Sequence, residues 1–337
     1  MATIGNLALT FNDLRKRQAP DGAIDHIIEV LKQSNPCMDD IKWMAGNLPT
    51  GNQTTQRTAL PDVYLRQINR GVPVSKSSTK QVVDTCCLIE AQSQIDTKLL
   101  VIQQDPQAFR RSEDDAFIES MSQKVAGMLF YGDSKKNMDE FNGFSVRYNK
   151  LSDKKGAAGY QVVSAGGTAA GKLSSTWLVG WGDRAVAGIY PKYGYAGLKY
   201  EDLGKQRVLD PNGNGYMALV SSFSWMPGLA VMDPRMVAAV RNIDTTQLAA
   251  DSATSDDKRR IIEKMIQAKN RMRTLNGVHP VWYVSDAMYT FLETYLVDKN
   301  NVFVTRDTLQ TGGPILRLSG IEVKKVDALS DTEDAIA

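Results

Sequence analysis

Residues 39–75 hold two extended runs, DIKWMAGNL and TALPDVYLRQI, flanking the polar tip PTGNQTTQR. This stretch limits the chain more than any other, because a long two-stranded ribbon is only marginally stable in water by itself. Pro61 in the second run removes a backbone donor and marks it as an edge or isolated strand. The preceding residues 1–38 read as an arm with one short amphipathic helix carrying Ile24, Ile27, Ile28 and Leu31, ended before Asn35-Pro36. A single helix of that length is unstable without packing partners. Arm and ribbon therefore both require a body to lie on, in the same subunit or in a neighbour.

The chain is long enough to supply such a body. Its 337 residues fit one large domain or two ordinary ones, and 42% apolar with 23% charged residues is an ordinary globular composition. No apolar run approaches the ~18 residues a membrane span needs. The basic cluster of the first residues follows their apolar stretch, the reverse of a secretory signal, so a cytoplasmic product that meets no membrane is expected. Cys37 stands alone and Cys86 and Cys87 are adjacent, which draws neither a disulfide framework nor a chelating motif. A net charge of +2 argues against a protein that grips nucleic acid through a broad basic face.

Beyond the ribbon, the segment from Phe109 to Phe130 is the clearest helix, with Phe117, Met121, Val125, Met128 and Leu129 in one stripe and Gly132 at its end. Residues 144–243 alternate strand-like pieces (GYQVVSA, STWLVGWG, AVAGIYPK, GYMALVSSFSW, GLAVMD) with glycine pairs and the turn DPNGNG, and read as antiparallel strands. A helix follows, with Ser255 as N-cap, Asp256 and Asp257 in its first turn, an apolar stripe of Ile261, Ile262, Met265, Ile266 and Met272, and Gly277 as its stop. Strand VWYV, a helix capped by Ser285 and a hairpin turning at Gly320 complete a mixed sheet with helices on it. The acidic tail SDTEDAIA is expected to be loose.

No residues assemble into a catalytic, cofactor or metal site. Gly166, Gly171 and Lys172 stand at phosphate-loop spacing, but Leu173 occupies the place of the magnesium-binding hydroxyl. The residues that follow, STWLVGWG, speak for a strand where the motif needs a helix N-terminus. The two histidines, His26 in the arm and His279 in a loop before Pro280, have no metal or nucleophile partners. Asp114-Asp115 and Asp256-Asp257 fall in first halves of helices, where the dipole accounts for them. Trp177 and Trp181 beside Arg184 could stack on bases, yet alternating tryptophans on a strand usually fill a core. Arg15-Lys16-Arg17 reads equally as a phosphate contact or a solvated face.

Several long strings carry a resemblance. QRTALPDVYLRQINRGVPVSKSSTKQVVDTCCLIEAQSQIDTKLL, FRRSEDDAFIESMSQKVAGMLFYGD, AGGTAAGKLSSTWLVGWG, GIYPKYGYAGLKYEDLG and FSWMPGLAVMDPRMVAAVRNID, in this order, resemble the major capsid proteins of short-tailed bacteriophages of the epsilon-fifteen type. The resemblance implies an α+β Hong Kong 97-type capsid fold. Its parts would be an arm at 1–38, an extended hairpin loop at 39–75, a mainly peripheral domain at 76–243 with a spine helix near 109–130, a mainly axial domain at 244–330 and the tail 331–337. It implies a virion protein, not an enzyme, assembled in the host bacterial cytoplasm as pentamers and hexamers that enclose double-stranded DNA through non-specific contacts. Expected partners are further copies of itself, a separately encoded scaffolding protein, a portal and a cement or decoration protein. The same fold also serves nanocompartment shells, which the sequence does not separate cleanly. Some relatives cross-link through a lysine of the extended loop; PTGNQTTQR has none and Lys42 lies far down the first run, so non-covalent overlap is expected here.

Overall fold

A computed structural model describes residues 33–210, 212–248, 255–296, 304–308 and 314–336. The expected arm helix, His26 and Arg15-Lys16-Arg17 lie outside the described residues, as do the side chains of Ser255, Asp256 and Asp257. In chain order the strands are β1 (Trp43–Ala45), β2 (Gly51–Ala59), β3 (Ser78–Thr85), β4 (Ile89–Asp96), β5 (Val162–Ser164), β6 (Leu173–Trp181), β7 (Val186–Tyr190) and β8 (Leu198–Leu209). They continue with β9 (Gly215–Trp225), β10 (Gly228–Val231), β11 (Val237–Asp244), β12 (His279–Val284), β13 (Val304–Thr308), β14 (Pro314–Leu318) and β15 (Ile321–Lys325). The described residues divide into two compact units, one drawn from residues 33, 88–125 and 195–226, the other from residues 34–87, 126–194 and 227–336.

The larger unit is built on a ten-stranded sheet in which β6 is central and buried along its whole length. Burial on both faces explains why LSSTWLVGW lacks polar alternation. Leu178 joins Ala238, Val240, Trp282 and Val284 on the face covered by helices Ser255–Arg271 and Asp286–Leu296, which contribute Ile262, Met265, Met288 and Leu292. Trp177 and Trp181 take the opposite face, where Phe144 lies 5.8 and 6.2 Å from their rings. Both tryptophans are thus core, and neither is free to stack on a base. Within 144–243 the strands are not uniformly antiparallel as the sequence suggested, since β11 runs parallel to β5; β12 parallel to β15 fits the mixed sheet expected of the last part, and β1 runs parallel to β7. Long connections allow parallel pairing, and local patterning carries no record of it.

One helix end read from sequence needs adjusting. The helix Ser255–Arg271 stops well before Gly277, whose φ of +78° instead serves the turn into β12, and His279 opens that strand rather than sitting in a loop. Ser285 does cap the next helix, accepting from the Met288 amide at 3.4 Å. The hairpin also turns where expected: Ser319 and Gly320 have φ of +50° and +82° between the paired residues Leu318 and Ile321, as a two-residue hairpin turn demands.

Parallel β1 lies close against β7 at Gly188. A Cβ built there would fall 2.5 Å from Ile41 Cγ2 and 2.7 Å from the Trp43 ring. Gly188→Ala is therefore expected to destabilise by about 1–3 kcal/mol through overpacking. A melting curve indistinguishable from that of the parent protein would count against this packing.

The acidic tail is not loose. Glu333 is buried, bridges to Leu173 in β6, accepts from Ser175 Oγ at 2.5 Å and Tyr131 OH at 2.7 Å, and pairs with Arg241 at 2.9 Å. Arg241 in turn lies over the Trp177 ring at 5.7 Å. A bulge in β11 beside Arg241 puts Asn242 at φ +60°, and its amide side chain bonds both the N–H and the C=O of Ile336 at 2.9 Å. A carboxylate that looks solvated in the sequence is drawn inward by a buried guanidinium.

In the smaller unit, β9 lies between β4 and β8, and the first part of helix Pro106–Tyr131 packs by Phe109 with Ile95, Leu100 and Leu219. At 26 residues this helix spans about 39 Å, slightly more than the sequence indicated. Asp114 is too far along it for the dipole to matter, since that effect fades within the first turn. It is instead a buried carboxyl that accepts from Ser221 Oγ at 3.2 Å, and burial raises its pKa. Arg110 completes the cluster with a bidentate pair to Asp202 at 2.6 and 2.9 Å.

Candidate assembly interface

The ribbon is displaced along the chain from its expected place. Its paired strands are β2 and β3, running from Gly51↔Thr85 to Ala59↔Ser78. The residues expected to form the tip are mostly strand, and the true tip is 60–77, which has no strand of its own. β2 escaped detection because GNQTTQRTA is polar on both faces, as suits a strand that buries little on either.

The base of the ribbon is firmly held within the larger unit. Asp84 is buried, paired with Arg147 at 2.6 Å and accepting from the Val231 amide at 3.2 Å. Gln56 donates to the Met232 carbonyl at 2.9 Å, and Cys86 bridges to Gly228. Beyond Gln56 the strands become exposed.

The tip is closed by Ser75 Oγ donating to the Asp62 carbonyl at 2.8 Å, and by Arg66 Nε donating to the Arg70 carbonyl at 2.8 Å. It nevertheless holds its aliphatic side chains in solvent: Val63, Leu65, Ile68 and Val74 are 94%, 105%, 91% and 100% exposed. Full burial of such a side chain is worth roughly 1.5–3 kcal/mol. A sequence that places four of them on an anchored projection has a large unrealised gain on contact with another surface. The sequence pattern placed Val63, Leu65 and Ile68 on an extended run and gave Val74 no element. Arg66, Arg70 and Lys76 share the tip with Asp62. The tip as built does contain a lysine, so the expectation against cross-linking loses its premise; Lys42 itself is paired with Asp183 at 2.8 Å.

The other residues weighed for chemistry are dispersed. Gly166 and Gly171, with φ of +94° and +72°, lie in the connection from β5 to β6, where the Gly171 N–H donates to the Glu333 carbonyl and the Lys172 carbonyl accepts from Thr245. This is the strand connection expected, with the loop engaged in the fold. Burial pushes the Cys37 thiol up to about 12 and the Cys86 thiol up to about 11, so neither is a ready nucleophile. His279 is exposed, 3.7 Å from Asp40, whose carboxylate is bonded by Tyr283 and Lys324 at 2.8 and 2.6 Å. Among the described residues no group of three or more His, Cys, Asp or Glu side chains could hold a metal ion. Among the same residues, no helix is long and apolar enough to cross a membrane.

The whole chain aligns with the bacteriophage Epsilon15 structure at a TM-score of 0.77 and 26% identity, covering 100% of this chain and 99% of that one. The bacteriophage JBD30 capsid aligns at a TM-score of 0.51 and 11% identity, covering 91% and 95%. No curated protein sequence matches. An α+β body with an anchored, apolar-tipped ribbon, superposable on these shells, is a phage capsid subunit of the Hong Kong 97 type. The family model for major capsid protein GP7 matches residues 19–337, and the chain belongs to that family. It is a structural protein of the phage head shell.

Proposed function

We propose that this subunit forms pentamers and hexamers and closes an icosahedral shell around double-stranded DNA, with the tip 60–77 of each copy lying on a neighbouring copy. The observation that carries this is the set of four solvent-held aliphatics on a ribbon whose base is fixed. Ring closure multiplies many moderate contacts into one stable particle, and each contact alone stays weak enough to correct errors. The division of labour follows the family pattern: residues 1–38 as arm, β2, tip and β3 as extended loop, a peripheral domain carrying the helix Pro106–Tyr131, and an axial domain centred on 244–330. A separately encoded scaffolding protein, a portal and a cement or decoration protein act with it in the host bacterial cytoplasm, and packaged DNA is met without sequence readout. The contacts between copies are non-covalent in this reading, with apolar overlap at the tip supplying the attraction. Electron microscopy of the expressed protein, alone and with a candidate scaffolding protein, tests the assembly; closed particles that run as a single monomer band on a denaturing gel are the expected result, and a covalent ladder overturns the non-covalent part.

The subunit performs no chemistry of its own in this reading. Lys172→Ala is expected to leave assembly unchanged, and calorimetric titration of the parent protein with magnesium-ATP is expected to give no heat of binding. Heat that disappears in the Lys172→Ala variant would restore the nucleotide alternative.

A further inference from the structure

The outer edge of β2 borders a groove of about 700 Å³ walled by residues 54–58, 154–157, Arg184 and residues 232–235. In an antiparallel pair the N–H and C=O of a residue face the partner strand together or face away together, alternating along the strand. Gly51 and Gln53 face away from β3: Gly51 bonds Leu48, and Gln53 exchanges two bonds with the side-chain amide of Asn47 at 2.7 and 2.8 Å. That amide acts as one residue of a third strand. By the same alternation Thr55 and Arg57 present the next N–H and C=O groups outward, and among the described residues nothing bonds them on that side.

The groove is also one-signed. Arg57, Lys154, Lys155 and Arg184 are exposed and have no ion pair with a described carboxylate, while the only acid among the described residues of the wall, Asp233, is bound by Arg235 at 2.9 Å and Arg273 at 3.3 Å. Free strand edges are commonly guarded by cations against pairing with copies of themselves. A guard of this sign repels a second ribbon, which would bring its own Arg57 and Lys80, but it attracts carboxylates.

We propose that this groove receives an extended, acidic segment of a separate polypeptide, which adds to β2 as a third strand. Main-chain bonds at Thr55 and Arg57 hold it, and the four cations select its acidic side chains. The open edge over residues 54–58 is about 17 Å long, enough for a strand of ordinary length. The described parts of this chain offer no good occupant: the tip 60–77 sets Asp62 against Arg66, Arg70 and Lys76, and the carboxylate-rich 330–336 is bonded within its own subunit through Glu333. The proposal goes beyond shell formation and does not depend on where the tip docks.

The test uses the full-length protein and a labelled peptide alternating glutamate with valine. The peptide is expected to bind and to slow hydrogen exchange at the Thr55 and Arg57 amides. Binding is expected to weaken about tenfold or more, ~1.4 kcal/mol, when alternate peptide nitrogens are methylated, and as much with Lys155→Glu plus Arg184→Glu. Both positions are exposed, and an unchanged melting curve shows that the double variant is folded. Equal binding of the methylated peptide, or of a lysine–valine peptide, overturns the proposal. So does displacement of the peptide by a thymidine oligonucleotide at lower concentration, which would make the groove a nucleic-acid site. Protection of both amides in particles of the protein alone would assign the groove to a second copy and equally defeat it.

Discussion

Glu333→Ala is expected to lower the stability of the subunit by about 3–5 kcal/mol, because it leaves a buried guanidinium without its counter-charge. Arg241 is nearly inaccessible, and its other bonds go to Ser175 Oγ at 3.1 Å and to backbone carbonyls near 3.4–3.5 Å, none of which neutralises it. Tyr131 and Ser175 lose an acceptor in the same change. Denaturant unfolding of dissociated subunits is the measurement. Arg241→Met in the Glu333→Ala background is expected to recover part of the loss, since an apolar chain of similar length removes the stranded charge, and this non-additivity is the sign of direct coupling. A Glu333→Ala unfolding free energy within about 0.5 kcal/mol of the parent, the range of ordinary surface substitutions, would mean that the tail contributes nothing to the fold.

Replacing residues 60–77 by Asn-Gly is expected to have the opposite division of effects: assembly fails while the subunit stays folded. The tip contributes no residue to the buried core, and the pair chosen supplies the two positive-φ positions that a tight hairpin needs. The β2 and β3 registers, and the anchors at Asp84 and Gln56, lie outside the deletion. Sedimentation separates the outcomes: soluble capsomers or monomers with an unchanged melting curve, and particle yield reduced to background. Normal particles from this variant would remove the tip from the assembly account, while leaving the family assignment intact.

How much of this was legible depended on whether burial left a periodic trace. The helix Pro106–Tyr131 was readable because Met121, Val125, Met128 and Leu129 bury one stripe, and the hairpin at Gly320 because a two-residue turn has a strong residue preference. β2 left no trace, since threonine and glutamine on both faces neither alternate nor cluster; β8, exposed over most of its length, was missed for the same reason. Moving the ribbon moved the tip to a stretch that contains Lys76, so the expectation against cross-linking lost the premise it took from local composition. Glu333 was misread differently. Its partners Tyr131, Ser175 and Arg241 are remote in the chain, and nothing in SDTEDAIA distinguishes the one inward carboxylate from its solvated neighbours. Asp114 shows the same limit inside a helix: its position suggested a dipole role, and only the apposed Ser221 reveals a packed one.

The register of the central sheet also governs how fast the subunit becomes competent. β6 pairs Trp177 with Tyr283 of β12 and Leu178 with Ala238 of β11, so these neighbours are recruited from far down the chain, and such non-local closure is slow. During that search the tip aliphatics are as sticky as they will be in the finished subunit. Recovery after dilution from denaturant should consequently decline as protein concentration rises, and low temperature with slow dilution should favour productive subunits over amorphous clumps.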